Sequence, residues 1–296
     1  MELRHLRYFV TVADLLNFTK AAATLRVAQP SLGRQIHDLE DELGVALLKR
    51  NSRFVRLTAA GEAFLSEARA LLQQSEKAAQ TVRAFATGER GEIHIGYAPS
   101  LTVEVLPQAL RAFEQQCPRV RVTLHDLSVS EMIQGLNERR LDIALIARPS
   151  NKQLRGLVFA ELRTYPVCLA VHGKHSLAQA KYVSLAQIEQ ERLIVYARAE
   201  YPDYHEWLQE VFKKARQALP QGTEEHDGGN GIVAAVEAGR GVALVPSIIA
   251  SVAGARLTLL SLRPSPQPFV VGVAYQRRDP NPAARRFVDM VGSFKT

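Results

Sequence analysis

The sequence predicts an α/β protein preceded by an all-helical N-terminal domain, and three observations carry that reading. Apolar residues recur at helical spacing through the first third of the chain, whereas from Glu92 onward short apolar runs alternate with amphipathic helical stretches. The two regimes are joined by a segment from Thr58 to Thr87 that contains no proline and only one internal glycine, Gly61. A chain of 296 residues, 47% hydrophobic and 23% charged, is long enough for two or three compact domains.

Leu3, Leu6, Phe9, Val10 and Ala13 put an apolar stripe on a first helix. Phe18–Leu25 reads as a short second helix, with Thr19 as its cap and Phe18 and Ala23 placed as a hydrophobic staple. Arg26-Val27-Ala28 makes a tight connection to a third helix running from Gln29 to Gly44. There Leu32, Ile36, Leu39 and Leu43 stack on one face, Pro30 suits the first helical position and Gly44 the C-terminal stop. The opposite face carries Ser31, Arg34 and Gln35 near the helix start, side chains suited to base edges and phosphates. Two helices joined by so short a connection, the second beginning with polar residues, form the pattern of a helix-turn-helix DNA reader.

The segment from Leu47 to Thr58 has two apolar runs around the tip Asn51-Ser52-Arg53 and reads as a hairpin, or wing. Lys49, Arg50, Arg53 and Arg56 give it four positive charges, which a solvated face would accommodate but which, in a hairpin beside a recognition helix, point rather to contact with phosphates or a minor groove. The candidate DNA-binding set is therefore Gln29, Pro30, Ser31, Arg34, Gln35, Lys49, Arg50 and Arg53. Residues 1–57 hold nine cationic and six acidic side chains, so affinity for double-stranded DNA would come from placed cations and fall with salt.

Thr58 is placed to cap the long segment that follows. Gly61, Leu65, Ala68, Leu72, Ser75, Ala79, Val82 and Ala86 alternate steps of four and three, with Phe64, Leu71, Ala78 and Phe85 beside them. Such a heptad predicts pairing with another helix, hence a homodimer through residues 58–88 whose two recognition helices meet an inverted repeat.

Residues 1 to about 88 resemble the winged helix-turn-helix of the LysR-type transcriptional regulators. The resemblance rests on Glu2-Leu3-Arg4-His5-Leu6-Arg7-Tyr8-Phe9-Val10, Phe18-Thr19-Lys20-Ala21-Ala22, Gln29-Pro30-Ser31-Leu32 with Arg34-Gln35-Ile36, Leu39-Glu40, Leu43-Gly44 and Leu57-Thr58-Ala59-Ala60-Gly61, in family order and spacing. Two positions depart from the pattern. Ala28 stands where serine is frequent and Gly33 where serine or threonine is usual, which removes one hydroxyl from the recognition helix.

Beyond a hinge at Gly88-Glu89-Arg90-Gly91, strands are expected at Glu92–Tyr97, Arg119–Asp126, Leu141–Ala147, Val167–Val171, Arg192–Ala197 and Val242–Val245. Helices are expected at Leu101–Gln116, Ser130–Arg139, Asp203–Leu219, Gly231–Ala238 and Asp279–Phe294, which together imply parallel βαβ units. This part resembles the effector-binding region of the same family, which implies a two-lobed, periplasmic-binding-protein-like domain. The expected organisation is residues 1–57 as the DNA-binding domain, 58–88 as the dimerising helix, 89–161 with 267–296 as lobe I, and 162–266 as lobe II. The crossings then fall near Ala160–Leu162 and Pro266–Pro268.

Open α/β sheets bind ligands at the carboxyl ends of their strands. The expected effector residues are Ser100, Leu101 and Thr102 at the first turn, Ser128 and Val129 at the second, and Arg148 after the third strand. Arg198 and Tyr204 face them from the other lobe, with Tyr201 and Pro202 close by, and Asn230 precedes a helix. A helix cap is an equally good reading of Ser100, and a surface cation of Arg148. Together these residues suggest a small aromatic or unsaturated carboxylate as effector. The resemblance further implies a tetramer built from dimers, activation of transcription, and RNA polymerase as a candidate partner.

Other chemistries find little support. Cys117 and Cys168 are too separated for a disulfide framework or zinc site, and His172 and His175 have no third ligand near them in sequence. Gly228-Gly229 and Gly239-Arg240-Gly241 lack the spacing of a phosphate-binding fingerprint, and no catalytic serine, histidine and acid arrangement stands out. No stretch approaches 18 uncharged apolar residues and the N-terminus is not a signal peptide, so the expectation is a cytoplasmic protein with no membrane association, no cofactor, no metal and no catalytic residues. The alternative is an enzyme or transport-type ligand-binding protein whose helical N-terminus serves assembly; the cations of the wing with Gln29 and Arg34 speak against it.

Overall fold

The computed structural model describes residues 1–51, 54–278 and 280–292. The chain divides into two compact units, Met1–Arg83 and the residues from Ala84 onward.

In the first unit, α1 (Leu3–Leu15), α2 (Phe18–Leu25) and α3 (Gln29–Leu43) enclose a core of Leu6, Phe9, Val12, Leu32, Ile36 and Leu39. Helix α2 is capped two residues earlier than Thr19 suggests. Asn17 is extended and its Oδ1 accepts the Lys20 N–H at 2.9 Å, so Thr19 lies inside the helix and Phe18 is its first residue. Strands β1 (Leu48–Arg50) and β2 (Val55–Leu57) pair antiparallel as the wing, so this unit is not purely helical. The wing tip, Ser52 and Arg53, lies outside the described residues.

Helix α4 (Ala59–Ala86) starts where Thr58 Oγ1 accepts the Gly61 N–H at 2.9 Å. A Cβ on Gly61 would sit 2.0 Å from the Leu47 carbonyl oxygen, so only glycine lets α4 pass the wing this closely. The heptad stripe is divided between two environments. Phe64, Leu65, Ala68 and Leu72 pack on the core of their own unit, whereas Leu71 (45% exposed), Val82 (69%) and Phe85 (50%) face outward.

The second unit holds a five-stranded sheet in the order β4-β3-β5-β13-β6: β3 (Arg90–Tyr97), β4 (Arg119–Asp126), β5 (Ile143–Ala147) and the edge strand β6 (Leu157–Tyr165) run in one direction, and β13 (Phe269–Gln276) pairs antiparallel between β5 and β6. Helices α5 (Pro99–Thr102), α6 (Val105–Gln116), α7 (Val129–Asn137) and α12 (Pro282–Gly292) pack around it. The single expected helix 101–116 is two helices, because Pro107 has no N–H to give the Val103 carbonyl and a new helix begins at Val105. Asp279, Ser293 and Phe294, the ends of the expected last helix, lie outside the described residues.

A second sheet, β11-β7-β12-β8, comprises β7 (Val167–His172), β8 (Tyr182–Val183), β11 (Ala243–Pro246) and β12 (Leu257–Leu262). A parallel pair, β9 (Leu193–Tyr196) and β10 (Thr223–His226), joins its margin through a bridge from Leu193 to Val242. Helices α8 (Leu185–Ile188), α9 (Pro202–Lys214), α10 (Gly229–Glu237) and α11 (Ile249–Ala253) cover these strands.

The sheets are therefore mixed, not purely parallel. Phe269 pairs with Tyr165 in the first sheet while Val167 already pairs with Pro246 in the second, so the chain changes sheet at Pro166 and not at 160–162. Glu161 and Arg163 interrupt the apolar pattern of β6, an edge strand half open to water, and this masks it in sequence. The return crossing, between Leu262 and Phe269, contains Pro266–Pro268.

Candidate DNA-reading face and effector cleft

Gln29, Pro30, Ser31 and Arg34 lie exposed along the first turns of α3, opposite the buried Leu32, Ile36 and Leu39. Pro30 occupies the first turn, where its missing N–H costs no helical bond. Gln35 is half-buried and donates from Nε2 to Asp38 at 3.2 Å. On the wing, Lys49 is exposed.

Arg50 is committed elsewhere. Glu40, 8% exposed, accepts the backbone N–H groups of Leu47 and Leu48 on Oε1 at 2.9 and 3.0 Å and the Arg50 guanidinium on Oε2 at 3.2 Å. The same guanidinium lies 5.5 Å from the centre of the Phe18 ring. Arg50 thus helps moor the wing to α3, and Glu40, a residue inside the recognition helix, is the mooring point. In sequence Glu40 looks like one of four acidic residues of a solvated helix end, and only its four-residue offset from Ile36, on the apolar face, hints at burial.

In the second unit, six strands end at one cleft of about 960 Å³, where Ala98, Asp126, Ala147, Tyr196, His226 and Pro246 contribute to its lining. Of the expected effector residues, Ser100, Leu101, Ser128, Val129, Arg148, Tyr204 and Asn230 line it. Thr102 and Arg198 do not. Thr102 is buried, its hydroxyl donating to the Ala98 carbonyl at 3.0 Å, while Arg198 is exposed and its backbone N–H is held by Glu225 at 3.0 Å. Arg148 reaches the lining but its guanidinium is paired with Glu161 and stacked over Phe159 at 5.7 Å.

An aromatic wall runs along the cleft. Tyr196 lies 4.7 Å from Tyr201 and 5.0 Å from Tyr204, Tyr204 lies 5.6 Å from Trp207, and Trp207 lies 4.6 Å from Phe269, all between ring centres. Tyr196, Trp207 and Phe269 escape a reading of turns alone, because they sit in a buried strand, in a helix and at the start of an inner strand. Trp207 follows Tyr204 by three residues and so shares its helical face, which is the one signal available.

The wall is polar where it matters. Burial pushes the Tyr196 phenol up to about 12 and raises Tyr201 and Tyr204 as well, so all three remain neutral hydrogen-bonding groups near neutrality. Tyr201 and Tyr204 donate to the Asp227 and Leu244 carbonyls at 3.1 and 3.4 Å, and the buried His205 imidazole anchors the Tyr196 carbonyl at 2.6 Å. The Ser100 hydroxyl, itself 6% exposed, faces the Tyr196 phenol and offsets part of the phenol's rise. A Cβ on Gly229 would meet that hydroxyl at 2.4 Å, so Ser100, Tyr196 and the start of α10 form one compact polar corner.

Three helices of at least nine residues begin at the cleft; α9 opens on Pro202, which has no N–H to offer, and the other two differ. Helix α7 is sealed by its own chain: Ser128 Oγ accepts the Glu131 N–H at 3.2 Å and Glu131 Oε2 accepts the Ser128 N–H at 2.8 Å. Helix α10 begins with Gly228, which has no side chain to cap it, and among the described residues no acceptor meets the amides of Gly229, Asn230 and Gly231. Among the described residues there is no cluster of three or more metal-ligating side chains, and no helix is long and apolar enough to cross a membrane.

Comparison with known proteins accounts for both units. Residues 3–62 match the bacterial regulatory helix-turn-helix of the lysR family and residues 86–294 the LysR substrate binding domain. The chain is 32% identical over 289 residues to the HTH-type transcriptional regulator AlsR of Bacillus subtilis, covering 97% of this chain and 94% of AlsR. It is 40% identical over 189 residues to the Hca operon transcriptional activator HcaR of Escherichia coli, covering 64% and 63% of the two chains. Its structure matches that of full-length CbnR complexed with its target DNA, with a TM-score of 0.76 at 28% identity over 99% of each chain. Both units of the chain, the winged helix-turn-helix and the α/β unit with its cleft, are thus matched, and the chain belongs to the LysR family of transcriptional regulators.

Proposed function

We propose that this regulator binds an inverted-repeat promoter site as a homodimer, assembled further into a tetramer, and activates transcription when a small aromatic or unsaturated carboxylate occupies the cleft. The observation that carries the effector class is the polar corner at α10: three uncapped amides beside the Ser100 hydroxyl, under a wall of tyrosines and Trp207. Amides at a helix start favour an anion, and the rings favour a flat apolar body. The cleft senses and does not catalyse.

Dimerisation through α4 is supported by the outward-facing Leu71, Val82 and Phe85, an apolar row that a second copy of the same helix would cover. Ser31, Arg34 and Gln29 then read bases or phosphates, and Lys49 and Arg53 contact the backbone from the wing. Gln35, held by Asp38, and Arg50, held by Glu40, have less freedom to do so. Action on promoter DNA assigns the protein to the cytoplasm, where RNA polymerase is the partner it would recruit.

The test is a footprint of the purified protein on the DNA upstream of its own gene, at moderate salt, with and without benzoate, cinnamate and related acids. A protected inverted repeat whose extent changes with one of them is the expected result. Protection that no acid alters removes the effector class, and no protection at all removes this assignment of the DNA-reading face.

A further inference from the structure

We infer that Glu200 is a specificity residue that restricts the cleft to effectors with a single carboxylate, by filling with its own carboxylate the second position where the fold would hold an anion. The inference rests on the carboxylate reading above. Three helices of at least nine residues start at this cleft, α7, α9 and α10; α9 opens on Pro202, which has no N–H to offer, whereas α7 and α10 would otherwise present a hydroxyl or free amides to a ligand. At α10 those groups remain open. At α7 the Ser128 hydroxyl donates to Glu200 Oε2 at 2.5 Å, and the Ser130 N–H donates to the Glu200 carbonyl oxygen at 3.2 Å. The Ser130 hydroxyl also donates to Glu200 O at 3.0 Å.

Glu200 therefore occupies α7 with side chain and backbone at once. Its position in the chain explains the fit: it follows β9 by four residues, in the loop before α9, and so approaches α7 from the opposite sheet. Its neighbours reinforce the charge. Asp126, at the end of β4, and Glu131, in the first turn of α7, line the cleft on this side, whereas Arg148, the nearby cation of the lining, is neutralised by Glu161. A ligand carboxylate at α7 would have to displace Glu200 and then lie among those acids. A neutral end, or a hydroxyl that donates a hydrogen bond, meets no such opposition. The cleft is thus polarised, with an anion-accepting end at α10 and an anion-rejecting end at α7.

Isothermal titration of the full-length protein with cinnamate and with 4-carboxycinnamate, the same scaffold bearing a second carboxylate, tests this. Wild type should bind cinnamate at least about tenfold more tightly than the diacid. Glu200→Ala should narrow that ratio at least about threefold, since the freed Ser128 hydroxyl can then donate to the second carboxylate. Glu200→Gln keeps the volume but removes the charge, so its ratio should fall between the other two. A wild-type ratio near one, or a ratio that moves in neither variant, overturns the assignment of Glu200. Absence of binding heat from both acids in all three proteins, each shown folded by far-UV circular dichroism, overturns the carboxylate reading and this inference together.

Discussion

Glu40 in the N-terminal unit and Glu200 beside the cleft are both carboxylates that accept hydrogen bonds from within their own unit, yet they serve opposite purposes. Glu40 is buried, takes two backbone N–H groups and a guanidinium, and leaves nothing for a ligand. Glu200 is half-buried, takes one hydroxyl, and faces a cavity that holds other anions. A carboxylate with three donors and no water is structural, because removing it strands amides in the core; one with a single donor at the edge of a cleft is exchangeable. The DNA-reading unit is accordingly held rigid behind an exposed face, while the cleft leaves its recognising groups open.

The largest effect that would break this contrast is expected from Glu40→Ala. It leaves the Leu47 and Leu48 amides and Arg50 without their acceptor and should cost the N-terminal unit about 3 kcal/mol. Urea unfolding followed by far-UV circular dichroism reads it, since Trp207, the single tryptophan, reports only on the other unit. A loss below about 0.5 kcal/mol would make Glu40 no more structural than Glu200.

Arg34→Ala touches the exposed face of the same helix and should leave stability alone while weakening specific DNA binding by about 1 to 3 kcal/mol. Measured against random DNA in the same buffer, an unchanged specificity ratio would move Arg34 from base reading to phosphate contact. The smallest effect concerns Gly33. A Cβ there meets nothing within 4 Å, so Gly33→Ala should stabilise the helix by about 1 kcal/mol. A destabilised variant would show that α3 needs the backbone freedom of glycine at this point.

How much could be read in advance differs between the units for a physical reason. The helices, the turn and the wing of the first unit are contiguous, and their periodicity places Leu32, Ile36 and Leu39 inside and Arg34 outside without further information. The role of Arg50 was not legible, because its partner Glu40 lies ten residues away and only the return of the wing brings them together. Likewise Thr58 and Gly61 are recognisable as a helix start, but the Leu47 carbonyl that excludes any side chain at Gly61 belongs to another turn of the chain.

In the α/β unit, turns after buried strands pointed to Ser100, Ser128 and Asn230, since strand ends and helix starts are local features. Thr102 and Arg198 lay in equally suitable turns but face elsewhere, and Tyr196, Trp207 and Phe269, which build the wall, carry no local mark. Phe269 reaches the cleft only because β13 returns from the second sheet to pair between β5 and β6, a step that no single stretch encodes.

By itself, then, the sequence determined the family, the reading helix and its exposed polar set, the long connecting helix, and the strand ends from which a cleft had to be built. Tertiary structure alone decided that Arg50 is a tie, that half of the heptad belongs to its own core, and that α7 is closed by Glu200 while α10 stays open. The first group depends on interactions within one turn or one strand, which periodicity and capping record. The second depends on which carboxylate reaches which donor across sheets and helices, and that is set only when the chain is packed.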